Sequence, residues 1–172
     1  MKSNGSIQLM LFIGITFLMT SCDAFKYAGA NSTTKPNTNI KDAATIQRNK
    51  ITTYSKNYVG TKYKYAGKDP KGFDCSGFTS YVMGKHNVAI SSSSRAQATQ
   101  GKSISVNKVK PGDLVFFGKN GKISHVAMVV SNTSEGITVI HSTTSKGVIV
   151  QNITKSTYWK PKIMFARDVI NS

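Results

Sequence analysis

Three side chains of the 172-residue chain have the types needed for nucleophilic chemistry: Cys75, His125 and His141. Cys75 lies in Phe73-Asp74-Cys75-Ser76-Gly77, at the predicted start of a helix. Free backbone N–H groups and the positive end of the helix dipole stabilise a thiolate there, and Asp74 is available as the cap. Gly77 leaves room beside the sulfur. A cysteine among apolar neighbours is by default a buried, inert thiol. The polar neighbours Asp74 and Ser76 count against that default.

A nucleophilic cysteine needs a base, and the histidines are His86, His125 and His141. His125 opens the apolar run to Val130, and His141 closes the run from Ile137. The turn between them holds Asn132 and Gly136, so the two runs read as a hairpin. If Val130 pairs with Gly136 around a five-residue loop, His125 lies directly opposite His141 with both side chains on one face. A one-residue slip would put them on opposite faces. Two imidazoles on one face suit a base and an orienter, the second ring fixing the tautomer of the first. His86 falls just past the predicted second helix and reads as a solvated loop residue. The same three side chains are also zinc-ligand types, but separations of 50 and 16 residues lack the close pairing of structural zinc sites. No metal or organic cofactor is expected.

These residues must be positioned by helices first and strands afterwards. Ala44, Ile51, Tyr54 and Tyr58 predict a helix over 43–58, ending at Gly60. Phe78, Tyr81 and Val82 form an i, i+3, i+4 stripe on a second helix that stops at Gly84, and Ser94 with Gln97 reads as the capping box of a third over 94–100. From Asp113 the apolar runs are short, β-branched or aromatic: 114–117, 125–130, 137–141, 148–153 and 163–167. The expectation is an α+β domain, with the N-terminal helices packed on a five-stranded antiparallel sheet.

Length allows one ordinary domain plus appendages, and 39% hydrophobic residues are enough for a packed core. Residues 1–21 read as an export signal: Lys2, then an apolar run from Leu9 to Met19 too short to span a bilayer comfortably. Thr20-Ser21-Cys22 resembles the lipobox of bacterial lipoproteins, with Met19 where Leu is usual, which makes Cys22 the lipidated first residue of the mature chain. An ordinary cleaved signal with an incidental cysteine is the alternative. Residues 22–45 then form a polar tether and 46–172 the domain, with folding from about Asp42. Lys2 is the only charged residue in 1–21, so all but one of the net +16 belongs to the mature protein. Export weighs against nucleic acid as the partner and for an anionic envelope surface, polymer or lipid headgroup.

The chain resembles the NlpC family of papain-like bacterial cell-wall peptidases. Six segments match in the family's order over about 46–168: Gly60 to Gly67 with Tyr63 and Tyr65, Gly72-Phe-Asp-Cys75-Ser-Gly-Phe78, Arg95 with Gln100-Gly101, Lys110-Pro-Gly-Asp113-Leu-Val-Phe-Phe117, Ser124-His125-Val126-Ala-Met-Val, and Ile140-His141-Ser142. The resemblance implies a helix bearing Cys75 packed on a sheet bearing His125 and His141, and hydrolysis of an amide in murein stem peptides or their cross-links. Cys75 would attack, His125 act as base then acid, and His141 orient His125. Tyr63 would lie beside the nucleophile, Asp74 and Ser76 would help hold the substrate, and the Cys75 N–H would be an oxyanion donor. Tyr65-Ala66-Gly67 stands where Trp-Gly-Gly is commoner, and Ser94 where proline is common, so pocket shape is expected to differ. With no room for a wall-binding module, localisation would rest on a lipid anchor and positive charge.

Within that resemblance three readings remain: a lipid-anchored murein endopeptidase, a non-catalytic lipoprotein that binds stem peptides, and a secreted amidase toxin. The intact Cys75, His125 and His141 favour the enzyme, and the lipobox disfavours the toxin. The lipobox, short tether and single domain resemble members that cut cross-links, whereas Tyr63, Asp74 and Ser76 could hold a free stem-peptide amine, a feature of enzymes that cut within the stem. The bond stays open, with the balance slightly toward cross-links.

Overall fold

The computed structural model describes residues 38–171. The predicted signal peptide, Cys22 and most of the predicted tether lie outside the described residues. Helix α1 runs Thr38–Lys56, so 38–45, expected as tether, is helical, and the folded part starts before Asp42. This mostly polar stretch continues as helix because it runs directly into an amphipathic one. The inward stripe is Arg48, Ile51, Thr52 and Ser55, at i, i+3, i+4 and i+7, and it is more polar than the apolar stripe predicted. Arg48 explains why: buried at 4% exposure, it reaches Asp113 Oδ1 at 2.6 Å and Asp168 Oδ2 at 2.7 Å, tying α1 to both ends of the strand region. Removing Arg48 would strand the buried Asp113 carboxylate, at a cost of about 3–5 kcal/mol.

A two-stranded hairpin, β1 (Lys68–Asp69) and β2 (Gly72–Phe73), leads into α2 (Cys75–Gly84). Helix α3 covers only Ser94–Gln97. The predicted Ser94–Gln97 capping box does not form: the cap position is Ser93, and Gln97 is fully buried. Its amide donates to the Ser76 and Ser91 carbonyls and its oxygen accepts from Thr79 Oγ1, so it clamps α3 to α2.

The sheet has six strands, not five: β3 (Lys102–Ile104), β4 (Leu114–Lys119), β5 (Lys122–Thr133), β6 (Gly136–Thr143), β7 (Gly147–Asn152) and β8 (Ile163–Asp168), in the order β3-β8-β4-β5-β6-β7. All neighbours are antiparallel. The extra strand is a three-residue edge with little burial, so it carries no alternation to read. Both faces of the sheet are covered. Phe116, Val126, Met128 and Ile140 pack with Ile51, Phe78 and Val82 of the helices. Val115, Phe117, Ala127, Val129 and Val139 form a second cluster beneath Ile104, Val106 and Trp159.

Candidate active site

Cys75 is the first residue of α2, and its position is fixed by the turn before it. Asp74 is extended, and its Oδ1 accepts the Gly77 N–H at 2.6 Å and the Ser76 hydroxyl at 3.0 Å. The Asp74 N–H donates to the Gly67 carbonyl at 2.9 Å. That carbonyl approaches so closely that a Cβ at position 77 would collide with it, which is why glycine stands there. One residue back, the Phe73 carbonyl accepts from Ser142 Oγ at 2.8 Å, pinning this turn to β6 beside His141.

The two sheet histidines meet. His125 Nε2 and His141 Nδ1 are 2.9 Å apart, and the rings sit edge to face. The register differs from the prediction: Met128 pairs with Ile140 and Thr133 with Gly136, with a bulge between Val129 and Ser131. Continued from Met128–Ile140, that ladder places Ala127 opposite His141 and His125 one step along the diagonal. A two-residue shift preserves the shared face, whereas a one-residue slip would have lost it.

Trp159 completes the wall and was not anticipated. Its ring stacks on His125 with centroids 4.6 Å apart and leans on His141 at 5.0 Å. Its indole N–H donates to Gln151 Oε1 at 3.1 Å. His141 Nε2 is buried without a well-formed hydrogen bond, and the Gln151 side chain is the polar group acting on that ring. The signal available in the sequence was that Trp159 is the sole tryptophan, set beside Tyr158 in a stretch with no strand pattern.

Burial sets the protonation states. It is the main cause lowering His125 to about 3, aided by the charge of His141, and it lowers His141 to about 4, with the Gln151 side chain, placed to accept from the ring, opposing that drop. Burial also pushes the Cys75 thiol above its ordinary value, with the Asp74 charge adding to the rise, while backbone groups of Val126, Ser76 and Cys75 itself pull it down. Burial therefore favours a neutral thiol and a neutral imidazole at rest, against the pull of the helix start toward thiolate.

The cleft has two halves that share Tyr63, Cys75 and Ser124. One is lined by Tyr65, Asp74, Ser76, Ser93 and Arg95. The other contains His125, Gln151, Tyr158, Trp159 and several lysines. Tyr63, Asp74 and Ser76 thus flank the nucleophile, although the Ser76 hydroxyl is occupied with Asp74 and the Ser92 carbonyl. Burial and the neighbouring Cys75 and Asp74 push the Tyr63 hydroxyl up, keeping it a neutral donor. His86 is not with them. It is half-buried against Tyr54 at 5.1 Å, with its Nε2 buried, rather than solvated. No three His, Cys, Asp or Glu side chains among the described residues are arranged to hold a metal ion.

The chain is thus an α+β domain whose cleft, at the start of a helix, holds the Cys75 thiol and the His125 imidazole, with His141 buried behind His125. It belongs to the NlpC/P60 family, whose sequence profile matches residues 60–168. It is 37% identical over 124 residues to the "Gamma-DL-glutamyl hydrolase" of Bacillus subtilis, covering 69% of this chain and 29% of that protein. It is 32% identical over 139 residues to the "Probable endopeptidase NlpC" of Escherichia coli, covering 78% of this chain and 85% of that one. The crystal structure of the NlpC/p60 domain of peptidoglycan hydrolase SagA matches with a TM-score of 0.60 at 33% identity, over 70% of this chain and 97% of that one.

Proposed function

We propose that this protein is a cysteine endopeptidase that hydrolyses a γ-glutamyl amide in peptidoglycan stem peptides. The observation that carries the reading is His125, in the same cleft as a helix-start thiol, backed by the buried His141 at 2.9 Å. With His125 Nε2 committed to His141, His125 Nδ1 is the nitrogen left to serve Cys75. Sγ attacks the carbonyl carbon as its proton passes to Nδ1. The oxyanion is received by the Cys75 N–H, which has no acceptor within the first helical turn. Collapse breaks the C–N bond, and the imidazolium returns the proton to the departing amine. Water, deprotonated by the same nitrogen, then hydrolyses the thioester and frees the acid. Stacking of Trp159 on His125 favours the transient imidazolium, because a cation is attracted to the ring face.

A γ-glutamyl bond is favoured over the cross-link because the Bacillus relative's name specifies glutamyl hydrolysis. The non-catalytic reading is disfavoured by Cys75 and His125 lining one cleft with His141 bonded to His125. No helix among the described residues is long and apolar enough to cross a membrane. Attachment through a lipid on Cys22, facing the periplasm or exterior, is the localisation proposed, supported by Thr20-Ser21-Cys22 and the polar stretch after it. The test is digestion of purified peptidoglycan followed by mass spectrometry. Stems truncated after glutamate support the reading, and intact monomers released from dimers would show that the cross-link is cut instead.

A further inference from the structure

The two halves of the cleft differ in charge. Around His125 the lining includes Lys119, Lys122, Lys146 and Lys162, and no carboxylate lines that half. The other half contains both a cation, Arg95, and a carboxylate, Asp74. The four lysines come from separate places in the chain: the β4–β5 turn, the β6–β7 turn and the segment leading into β8. Lys119 and Lys122 are register partners across a two-residue Asn-Gly turn, with Asn120 at φ 52° and Gly121 at φ 74°. Like charges directly opposite one another oppose pairing. None of the four has an ion-pair partner among the described residues, where the ion pairs belong to Arg48 and Lys155. Lys162 Nζ lies over the Tyr158 ring, 3.0 Å from its centroid.

Chemistry assigns this half to the leaving group. His125 must hand its proton to the departing amine, so the residue carrying that amine lies on the His125 side of Cys75. We propose that Lys119, Lys122, Lys146 and Lys162 form a subsite for a free carboxylate on the residue whose amine is released. The proposal rests on the γ-glutamyl peptidase reading and adds its specificity. A carboxylate there is matched by convergent ammonium groups, whereas a lysine-type side chain would meet like charge. A carboxylate in this place has two sources: the diaminopimelate of a stem peptide, or the next unit of a γ-linked glutamate chain.

The test uses the full-length protein in detergent and three soluble probes in which the α-carboxyl of the released residue is capped as an amide: γ-D-glutamyl-diaminopimelate with its side-chain carboxylate free, the same compound with that carboxylate also converted to the carboxamide, and γ-D-glutamyl-lysine, with γ-linked triglutamate as a fourth. We expect kcat/KM for diaminopimelate to exceed that for its carboxamide and for lysine by about tenfold or more at low salt, the excess shrinking as salt screens it. Triglutamate cut as fast as the diaminopimelate probe assigns the carboxylate to either source, and slow cleavage assigns it to the stem peptide. In Lys119→Glu/Lys122→Glu the preference should turn toward the lysine probe, a reversal that misfolding cannot produce. Equal rates on all three probes, or an unchanged preference in the reversed variant, would overturn the subsite. Binding is followed separately by calorimetry on Cys75→Ala. Salt-sensitive binding of the carboxylate probes with no cleavage by wild type would keep the subsite and sink the peptidase reading.

Discussion

His125 Nε2 faces His141 Nδ1 across 2.9 Å in a buried contact. Only one of the two nitrogens can hold the proton. If His125 Nε2 holds it, His125 Nδ1 is a free base and His141 carries its own proton on Nε2, toward Gln151. The chain of tautomers then runs from Gln151 to Cys75.

Loss of the orienter should slow the reaction without ending it. His141→Ala is expected to lower kcat by about 10²–10⁴-fold, as removal of a tautomer-fixing partner does. Gln151→Leu, which leaves His141 Nε2 with no polar partner, should fall between wild type and His141→Ala. Steady-state kinetics on a γ-glutamyl anilide reads both. Wild-type kcat in His141→Ala would remove it from the mechanism.

The neutral resting pair makes a prediction for pH. The Cys75 thiol is raised by burial and His125 is depressed to about 3, so at neutral pH the thiolate is a minor form. Alkylation by iodoacetamide reads the thiolate, and its rate should climb about tenfold per pH unit from 6 to 8. A rate independent of pH over that range would mean a thiolate–imidazolium pair at rest.

His86 packs against Tyr54 and lies outside the cleft lining. His86→Ala should keep wild-type kcat/KM per folded molecule and lose about 0.5–1.5 kcal/mol of stability with the aromatic contact. Denaturant titration alongside kinetics separates the two. A drop in kcat without a drop in stability would place His86 in the mechanism.

What was legible in the sequence had local causes. Asp74, Cys75 and Gly77 lie within one helical turn, so cap, nucleophile and close approach could be read together. His125 and His141 were placed on one face because alternation survives a two-residue error in register, and the bulge near Val130 left no mark in the residue pattern. The Arg48–Asp113 and Arg48–Asp168 pairs and the Trp159 wall join residues far apart in sequence, and nothing in the local pattern marks them. Gln97 misled because its spacing from Ser94 fits a cap, although its amide is used for long-range packing. The pull of burial on the Cys75 thiol is hidden for the same reason: a helix start is visible in sequence, and desolvation is not.

Lipid anchoring at Cys22 is tested by fractionation. Cys22→Ala should leave the membrane fraction or accumulate unprocessed, because acyl chains on that sulfur and the new N-terminus would supply the attachment. Membrane association equal to wild type would refute it.

The central claim, that Cys75 forms a thioester with His125 as its base, is tested most directly by rapid-quench mass spectrometry with a γ-D-glutamyl anilide. Wild type should carry the glutamyl mass on the Cys75 peptide within the first turnover. Cys75→Ala should carry none and turn over nothing, and His125→Ala should form the adduct slower by at least about 10³-fold. Turnover by Cys75→Ala, or full-rate acylation in His125→Ala, would contradict the account.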